Sequence, residues 1–261
     1  MTQLLISVKN VEEARLALAC GADVIDLKDP SVGALGALDL PTSLAIIAAV
    51  NNHVTNQISQ QTSIQVSTRA IRRVLSTTVG ENHADLNALT AAIEQGAAMG
   101  QIIIKISVSA LFYGANFLIE MRKLTDAGVK IVAVFFADER VDLTMLPTLK
   151  QAGFYGAMLD TKNKHKNLTQ TQTKADLALF TQFCHQYHLK SGLAGSLQVQ
   201  HIDNLSTFNA TYIGFRGGVC DNFNRKSDLC GAKILELKKL LLTHNTFNPK
   251  PHKIMPLALH S

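Results

Sequence analysis

The sequence predicts a single-domain α/β protein with the (β/α)8, or TIM-barrel, architecture. The chain has 261 residues, which is about the usual length of an eight-unit barrel. Eight short β-branched or apolar runs are distributed along it, and segments of helical character separate most of them. A helix followed by glycine and then by such a run recurs, as in residues 19–27, 97–106, 126–134 and 151–159.

The predicted strands are apolar on both faces, which is typical of a parallel sheet covered by helices. In chain order they are Leu4–Val8, Val24–Lys28, Val74–Val79, Ile102–Ser107, Ile131–Ala137, Gly156–Asp160, Leu189–Gly195 and Tyr212–Arg216. The first helix is predicted over Val11–Cys20, because Asn10 can cap it and Glu13 follows three residues later. The last is predicted near Leu229–Leu242, where apolar residues recur at helical spacing. A doubly wound open sheet is the alternative, but no G-x-G-x-x-G motif follows the first strand.

Two segments depart from this alternation. Asn51–Ala70 is polar, aperiodic and rich in Gln, Ser and Thr, and it is predicted to be an insertion loop before the third strand. Residues 244–261 contain Asn-Pro and Lys-Pro turns and are predicted to form a C-terminal tail. That tail either packs loosely or reaches a neighbouring subunit, so a homo-oligomer is left open. The barrel is assigned to residues 1–243.

The composition narrows the classes of function. A net charge of +5 suits nucleic acid, an acidic membrane surface or an anionic substrate. No apolar run reaches the roughly 18–20 residues of a membrane helix, and the N-terminus lacks the features of a secretory signal. Trp is absent and aromatic residues make up only 6%, which argues against binding of single strands by base stacking. The four cysteines show no zinc-ligand spacing, so no metal site is expected, and the reducing cytoplasm is the expected compartment.

Charged residues at strand ends are the candidates for catalysis, because barrel enzymes react at the C-terminal ends of their strands. On strand two, the two-residue alternation turns Asp26 and Lys28 into the barrel near its mouth. A buried Asp–Lys pair costs desolvation energy and is weak evidence for stability. We interpret the pair as an amine nucleophile with a carboxylate that orients it and moves protons; an internal salt bridge is the alternative.

Strand four carries a second inward lysine, Lys105, which is expected to point toward Lys28. Clustered ammonium groups disfavour each other's charge, so one of the two amines is predicted to have a lowered pKa. A neutral amine is what Schiff-base chemistry with a carbonyl requires. The alternative is a lysine that extends to the barrel rim. Asp160, at the end of strand six, is a candidate by the same strand-end argument.

A phosphate site is predicted after strands seven and eight, where barrels often bind phosphate. Glycines there let backbone N–H groups approach an anion, and Arg216 could add a forked donor. The candidate residues are Gly195, Ser196, Arg216, Gly217 and Gly218. Plain strand-to-helix turns are the alternative reading. Ser76, at an inward position of strand three, is predicted to line the pocket.

Six segments carry a resemblance to a known family: residues 6–37, 75–81, 102–108, 157–164, 190–197 and 213–220. The combination of ADVIDLKDPSVGALGA with AMLDT and LAGS is specific, and the sequence resembles the (5-formylfuran-3-yl)methyl phosphate synthases of methanofuran biosynthesis. The resemblance implies a lyase that condenses two molecules of glyceraldehyde 3-phosphate with loss of phosphate and water. It implies no metal and no redox cofactor.

The same resemblance assigns roles to individual residues. Lys28 would form the Schiff base with the triose phosphate, and Lys105 would match the family's proton-accepting lysine. Asp26 and Asp160 match its active-site carboxylates, and Lys164 occupies the position of a further lysine after AMLDT.

Two other functions are weighed against this one. A Schiff-base (class I-type) aldolase acting on another sugar phosphate would share Lys28 and the phosphate site. A barrel that binds nucleic acid through basic patches would leave the inward Asp26, Lys28 and Lys105 unexplained. The positive charge is therefore attributed to a small phosphorylated substrate, and neither nucleic acid nor a membrane is expected as a partner.

Overall fold

In the computed structural model, which describes residues 1–60, 74–108 and 116–247, the described strands form one closed parallel barrel. The strands are β1 (Gln3–Val8), β2 (Val24–Leu27), β3 (Val74–Thr78), β4 (Ile102–Ser107), β5 (Lys130–Phe136), β6 (Gly156–Asp160), β7 (Lys190–Leu193) and β8 (Tyr212–Phe215). Neighbours in sequence are neighbours in the barrel, and β8 pairs with β1 to close it. The predicted fold class is confirmed, and the open-sheet alternative is wrong.

Helices cover the outside of the barrel. They are α1 (Val11–Ala19), α2 (Leu40–Gln60), α3 (Leu86–Ala98), α4 (Asn116–Asp126), α5 (Leu146–Gln151), α6 (Leu168–Thr171), α7 (Lys174–Gln186), α8 (Ile202–Ser206) and α9 (Gly231–Phe247). The predicted start of α1 is confirmed, because the Asn10 side chain accepts the Glu13 N–H at 2.9 Å. None of the helices in the described ranges is long and apolar enough to cross a membrane.

The strands separate two apolar regions. Their outward side chains, such as Leu4 and Ile25, pack with the helices in the main core. Their inward side chains fill the barrel with Leu5, Val24 and Tyr212 at the N-terminal end of the strands, and with Met158 and its neighbours further along. The polar inward side chains are thereby gathered toward the C-terminal mouth of the barrel, where the candidate site lies.

Two sequence predictions need correction at helix ends. The predicted loop Asn51–Ala70 is helical over residues 51–60, because α2 continues to Gln60; residues 61–70 lie outside the described residues. The C-terminal part of this helix could not be recognised from sequence because it lacks a periodic apolar stripe. Asn51 and Asn52, for example, are exposed. Likewise α9 continues to Phe247, past the predicted start of the tail at residue 244, and residues 248–261 lie outside the described residues.

Candidate active site

A cavity of about 320 Å³ opens at the C-terminal mouth of the barrel. Its lining includes all five predicted catalytic residues, which come from β2, β4, β6 and the segments that follow β2 and β6. The charged side chains at this cavity are Asp26, Lys28, Lys105, Asp160, Lys164, Arg216 and Arg225. Cations therefore outnumber carboxylates at the mouth, which favours an anionic ligand.

Asp26 is the centre of a fully buried polar cluster. Lys105 Nζ lies 2.6 Å from Asp26 Oδ1, and the two side chains are 5% and 0% exposed. Ser7 Oγ donates to Asp26 Oδ2 at 2.8 Å, and Ser76 Oγ donates to Asp26 Oδ1 at 2.7 Å. Three donors from β1, β3 and β4 thus fix one carboxylate. Ser76, predicted to line the pocket, lies against a smaller, deeper cavity and holds Asp26 in place.

Asp160 forms the second carboxylate centre, and it holds two lysines. Lys28 Nζ lies 3.3 Å from Asp160 Oδ2, while Lys164 Nζ lies 3.1 Å from Asp160 Oδ1. The Thr161 N–H donates to Asp160 Oδ1 at 2.7 Å, and Lys164 also donates to the Thr161 carbonyl. The expected pairing of Lys28 with Asp26 is therefore replaced by a pairing across the barrel with Asp160.

Burial and charge act on these groups together. Burial lowers the pKa of Lys105, the Lys28 cation lowers it further, and the charge of Asp26 only partly opposes this. Burial also lowers the pKa of Lys164. For Asp160, burial alone would raise the pKa, but the charges of Lys164 and Lys28 outweigh it and hold that pKa well below the usual range. The site combines amines that lose their proton more readily with a carboxylate that stays ionised.

The glycine-rich turns after β7 and β8 lie at the same mouth. Gly195 has a φ of +114°, which L side chains rarely adopt, and Ser196 follows in the left-handed region. A Cβ on Gly218 would lie 1.9 Å from the Leu197 carbonyl oxygen, so glycine there lets the two turns touch. In the described ranges, the N–H groups of Ser196 and Gly217 donate to no backbone or side-chain acceptor. They remain available to an anion.

Arg216 lines the cavity, but its guanidinium is fully engaged within the protein. It binds the Glu13 carboxylate through both terminal nitrogens. It also donates to the carbonyl oxygens of Ser7, Arg225 and Ser227. These contacts use all five N–H donors of the side chain. They favour a structural role, in which Arg216 fastens the segment after β8 to β1 and α1, over the phosphate contact predicted for it.

A sequence model of the family described as 4-HFC-P synthase matches residues 4–238, nearly the whole barrel. The chain belongs to this family. A relative from Methylorubrum extorquens is 36% identical over 235 residues, which cover 90% of this chain and 89% of the relative. The (5-formylfuran-3-yl)methyl phosphate synthase of Methanocaldococcus jannaschii is 31% identical over 253 residues, with 91% and 98% covered. The family resemblance predicted from the motifs is confirmed.

Solved structures with low sequence identity share the fold of this 4-HFC-P synthase family member. Phosphoribosyl anthranilate isomerase from Thermus thermophilus superposes with a TM-score of 0.59 at 11% identity, over 93% of this chain and 99% of that one. The 3-hexulose-6-phosphate synthase from Salmonella typhimurium gives 0.54 at 12% identity, over 93% and 100%. At such identities the likeness concerns the barrel alone.

Three further residues, which the sequence patterns did not single out as site residues, shape the site of this family member. Ser7 could have been found, because the alternation along β1 turns it inward beside Asp26. Glu13 was predicted only as a helix-capping residue, whereas it also binds Arg216. Arg225 lies in a polar loop that is indistinguishable in sequence from an ordinary solvated turn. Its guanidinium donates to the Gly33 carbonyl at 2.9 Å and faces the cavity.

Proposed function

We propose that this protein condenses two molecules of glyceraldehyde 3-phosphate into (5-formylfuran-3-yl)methyl phosphate, with loss of one phosphate and two water molecules, through a Schiff base on Lys28. Support comes from the relatives that carry this synthase name. The observation that carries the proposal is the clustering of Lys28, Lys105 and Lys164 around two buried carboxylates at one barrel mouth.

Lys28 is the lysine whose contacts best suit a nucleophile. Lys105 is held by Asp26 at 2.6 Å, and Lys164 is bound by both Asp160 and Thr161. Among the described residues, the Lys28 amine has one ion-pair partner, Asp160, at the longer distance of 3.3 Å, and the Lys28 side chain is 8% exposed, at the cavity. An attacking amine has to leave its partner and reach the substrate, so the least constrained lysine meets the lowest barrier.

The reaction then follows from amine chemistry. Nζ of Lys28 adds to the aldehyde carbon of the first triose, and the carbinolamine loses water to give an iminium ion. Loss of the proton on the adjacent carbon gives an enamine, whose electron pair expels phosphate from the third carbon. The activated fragment forms a carbon–carbon bond with the second triose. Cyclisation and dehydration then release two further water molecules, and hydrolysis of the imine, which takes up one water, frees the lysine. The net loss is one phosphate and two waters, and the aromaticity of the furan makes the last steps downhill.

Proton transfers are assigned to the two buried centres. The lowered pKa of Lys105 suits it to accept the proton removed during enamine formation, and Asp26 stabilises the ammonium that results. Asp160, which stays ionised, offsets the cationic charge of the iminium on Lys28. Lys164, hydrogen-bonded to the same carboxylate, is suited to protonate the departing phosphate.

The phosphate that the product retains is assigned to the turns after β7 and β8. Ser196 and Gly217 offer N–H groups there, and the surrounding excess of cations favours a dianion. No step of this scheme calls on a metal or redox cofactor. A cytoplasmic location is consistent with the four cysteines, which are all free thiols.

The test is incubation of the purified protein with glyceraldehyde 3-phosphate while phosphate release and ultraviolet absorbance are followed. We expect one phosphate per furan aldehyde, identified by mass spectrometry, and loss of both signals in Lys28→Ala. Lys162→Ala removes an exposed lysine that pairs with Glu139 outside the cavity, and it should react like wild type. A sugar phosphate product without furan absorbance would indicate the aldolase alternative. Absence of any product would reject both.

A further inference from the structure

The two arginines of the segment after β8 differ in how many of their guanidinium N–H donors are hydrogen-bonded to the protein. Arg216 uses every N–H donor of its guanidinium on protein acceptors, as described above. Arg225 donates one hydrogen bond, from Nη2 to the Gly33 carbonyl. Its other guanidinium N–H groups have no hydrogen-bond partner among residues 1–60, 74–108 and 116–247. A partly buried guanidinium whose N–H donors face a cavity without protein acceptors is suited to bind an anion.

The backbone of Arg225 is held in place before any ligand arrives. Its carbonyl oxygen accepts the Arg216 Nε–H at 2.8 Å, so one arginine fixes the position of the other. Its Cβ lies 3.5 Å from where a Cβ on Gly217 would be, which places it beside the glycine turn. A preorganised donor loses little conformational freedom on binding and therefore binds more tightly.

The charges around Arg225 leave it available to a ligand. The cations nearby are Lys164 and Arg216, and the carboxylates are those of Asp160, Glu81 and Asp29. Asp160 is already bonded to Lys28 and Lys164, and Glu81 accepts the Leu35 N–H at 2.6 Å. Burial lowers the pKa of the Arg225 guanidinium, and the carboxylates only partly offset that loss. An incoming anion would restore favourable interactions to this cation.

We propose that Arg225, and not Arg216, is the side chain that binds a phosphate group of the substrate, beside the Gly217 N–H. The planar guanidinium can present two parallel N–H groups to two phosphate oxygens, and the backbone N–H supplies a third donor. The identity of the phosphorylated substrate rests on the proposed function. The anion site itself does not, because it follows from free donors and their position.

The experiment measures binding of inorganic phosphate to the substrate-free, full-length protein by titration calorimetry. We expect Arg225→Gln to weaken phosphate binding at least about tenfold, as loss of a charge-assisted hydrogen bond predicts. Lys226→Gln is the matched control, since it removes one positive charge from an exposed neighbour on the same loop. It should bind phosphate like wild type. Arg225→Lys should give an intermediate affinity, because the ammonium keeps the positive charge but cannot donate two parallel hydrogen bonds.

Three results would overturn the inference: wild type that binds no phosphate, Arg225→Gln that binds it like wild type, or an equal loss in Lys226→Gln. Circular dichroism checks that each variant is folded. If Arg225→Gln is unfolded, the phosphate affinity of Arg225→Lys is the test: an affinity below that of wild type supports the inference, and an unchanged affinity overturns it. In the turnover assay, Arg225→Gln should raise the KM for glyceraldehyde 3-phosphate, and borohydride should still trap an adduct on Lys28. If wild type forms no furan, the proposed function fails, while the phosphate titration still decides on Arg225.

Discussion

Lys105 Nζ lies 2.6 Å from Asp26 Oδ1, so the carboxylate of β2 pairs with the lysine of β4 and not with Lys28, two residues further along its own chain. Lys28 reaches Asp160 instead. This exchange gives each carboxylate a separate set of amines. It leaves Lys28, at the rim, less tightly held than Lys105 below it, which suits the proposed roles of Lys28 as the nucleophile and Lys105 as the proton acceptor.

The first prediction concerns the covalent intermediate. Borohydride reduction of the protein with glyceraldehyde 3-phosphate should leave an adduct on the peptide that contains Lys28. Lys28→Met should abolish it and lower the rate of phosphate release by more than about 10³-fold, because the covalent route is lost. Lys162→Met should be labelled like wild type, since Lys162 is exposed and lies outside the cavity. Peptide mass mapping makes the measurement, and an adduct on Lys105 or Lys164 would contradict the assignment.

The second prediction concerns the buried pair of Asp26 and Lys105. Asp26→Asn and Lys105→Met should each destabilise the fold by up to about 3–5 kcal/mol, because each leaves a buried partner uncompensated. The double variant should be more stable than the sum of the two losses predicts, by about 0.5–3 kcal/mol. Urea denaturation measures all four proteins. Lys123→Met, which breaks an exposed pair with Glu120, should change stability by less than about 1 kcal/mol.

The third prediction follows from the lowered pKa of Asp160. A carboxyl whose pKa is lower in the folded state contributes stability above its unfolded pKa, about 3.9, and loses it as pH falls toward the folded value. Wild type should therefore be more stable than Asp160→Asn at neutral pH, and the difference should narrow below about pH 4. Denaturation series from pH 7 downward test this. Asp221→Asn, an exposed aspartate, should track wild type, and a gap that widens in acid would contradict the prediction.

The fourth prediction separates a structural arginine from a ligand-binding one. Glu13→Gln should destabilise the protein by up to about 3–5 kcal/mol, because it leaves Arg216, whose side chain is only 9% exposed, without its carboxylate. Glu12→Gln, an exposed change at the neighbouring position of α1, should have little effect. Limited proteolysis should detect earlier cleavage in the segment after β8, which Arg216 fastens. If Glu13→Gln were as stable as wild type, the structural role assigned to Arg216 would be contradicted.

The fifth prediction concerns the contact between the two glycine turns. Gly218→Ala places a methyl group against the Leu197 carbonyl oxygen, a backbone atom with little freedom to move. The loss of stability should lie at the upper end of the about 1–3 kcal/mol typical of overpacking. Gly217→Ala, whose nearest contact would be 3.3 Å away, should cost less. Thermal unfolding compares the two, and equal losses would show that the close approach is not what requires glycine at 218.

The amino-acid sequence was enough to predict the barrel and which strand side chains point into it. Length, repeated helix–glycine–strand units and strands that are apolar on both faces together predict eight parallel strands, because such strands have to be covered by helices. The two-residue period of a strand turns Asp26 and Lys105 to the inside without reference to any neighbour. The sequence motifs also predicted the family, and the match of the family model over residues 4–238 confirms that prediction.

Which of these side chains pair with each other could be seen only in the folded barrel. Pairing across a barrel depends on the stagger between strands and on how far a lysine reaches, and neither is encoded in the spacing along one strand. The same limit applies to Arg216 and Arg225, since a loop's path determines which guanidinium meets Glu13 and which faces the cavity. The secondary-structure elements and their inward faces are therefore predictable from the sequence, whereas the ion-pair partner of each charged side chain depends on distances across the closed barrel.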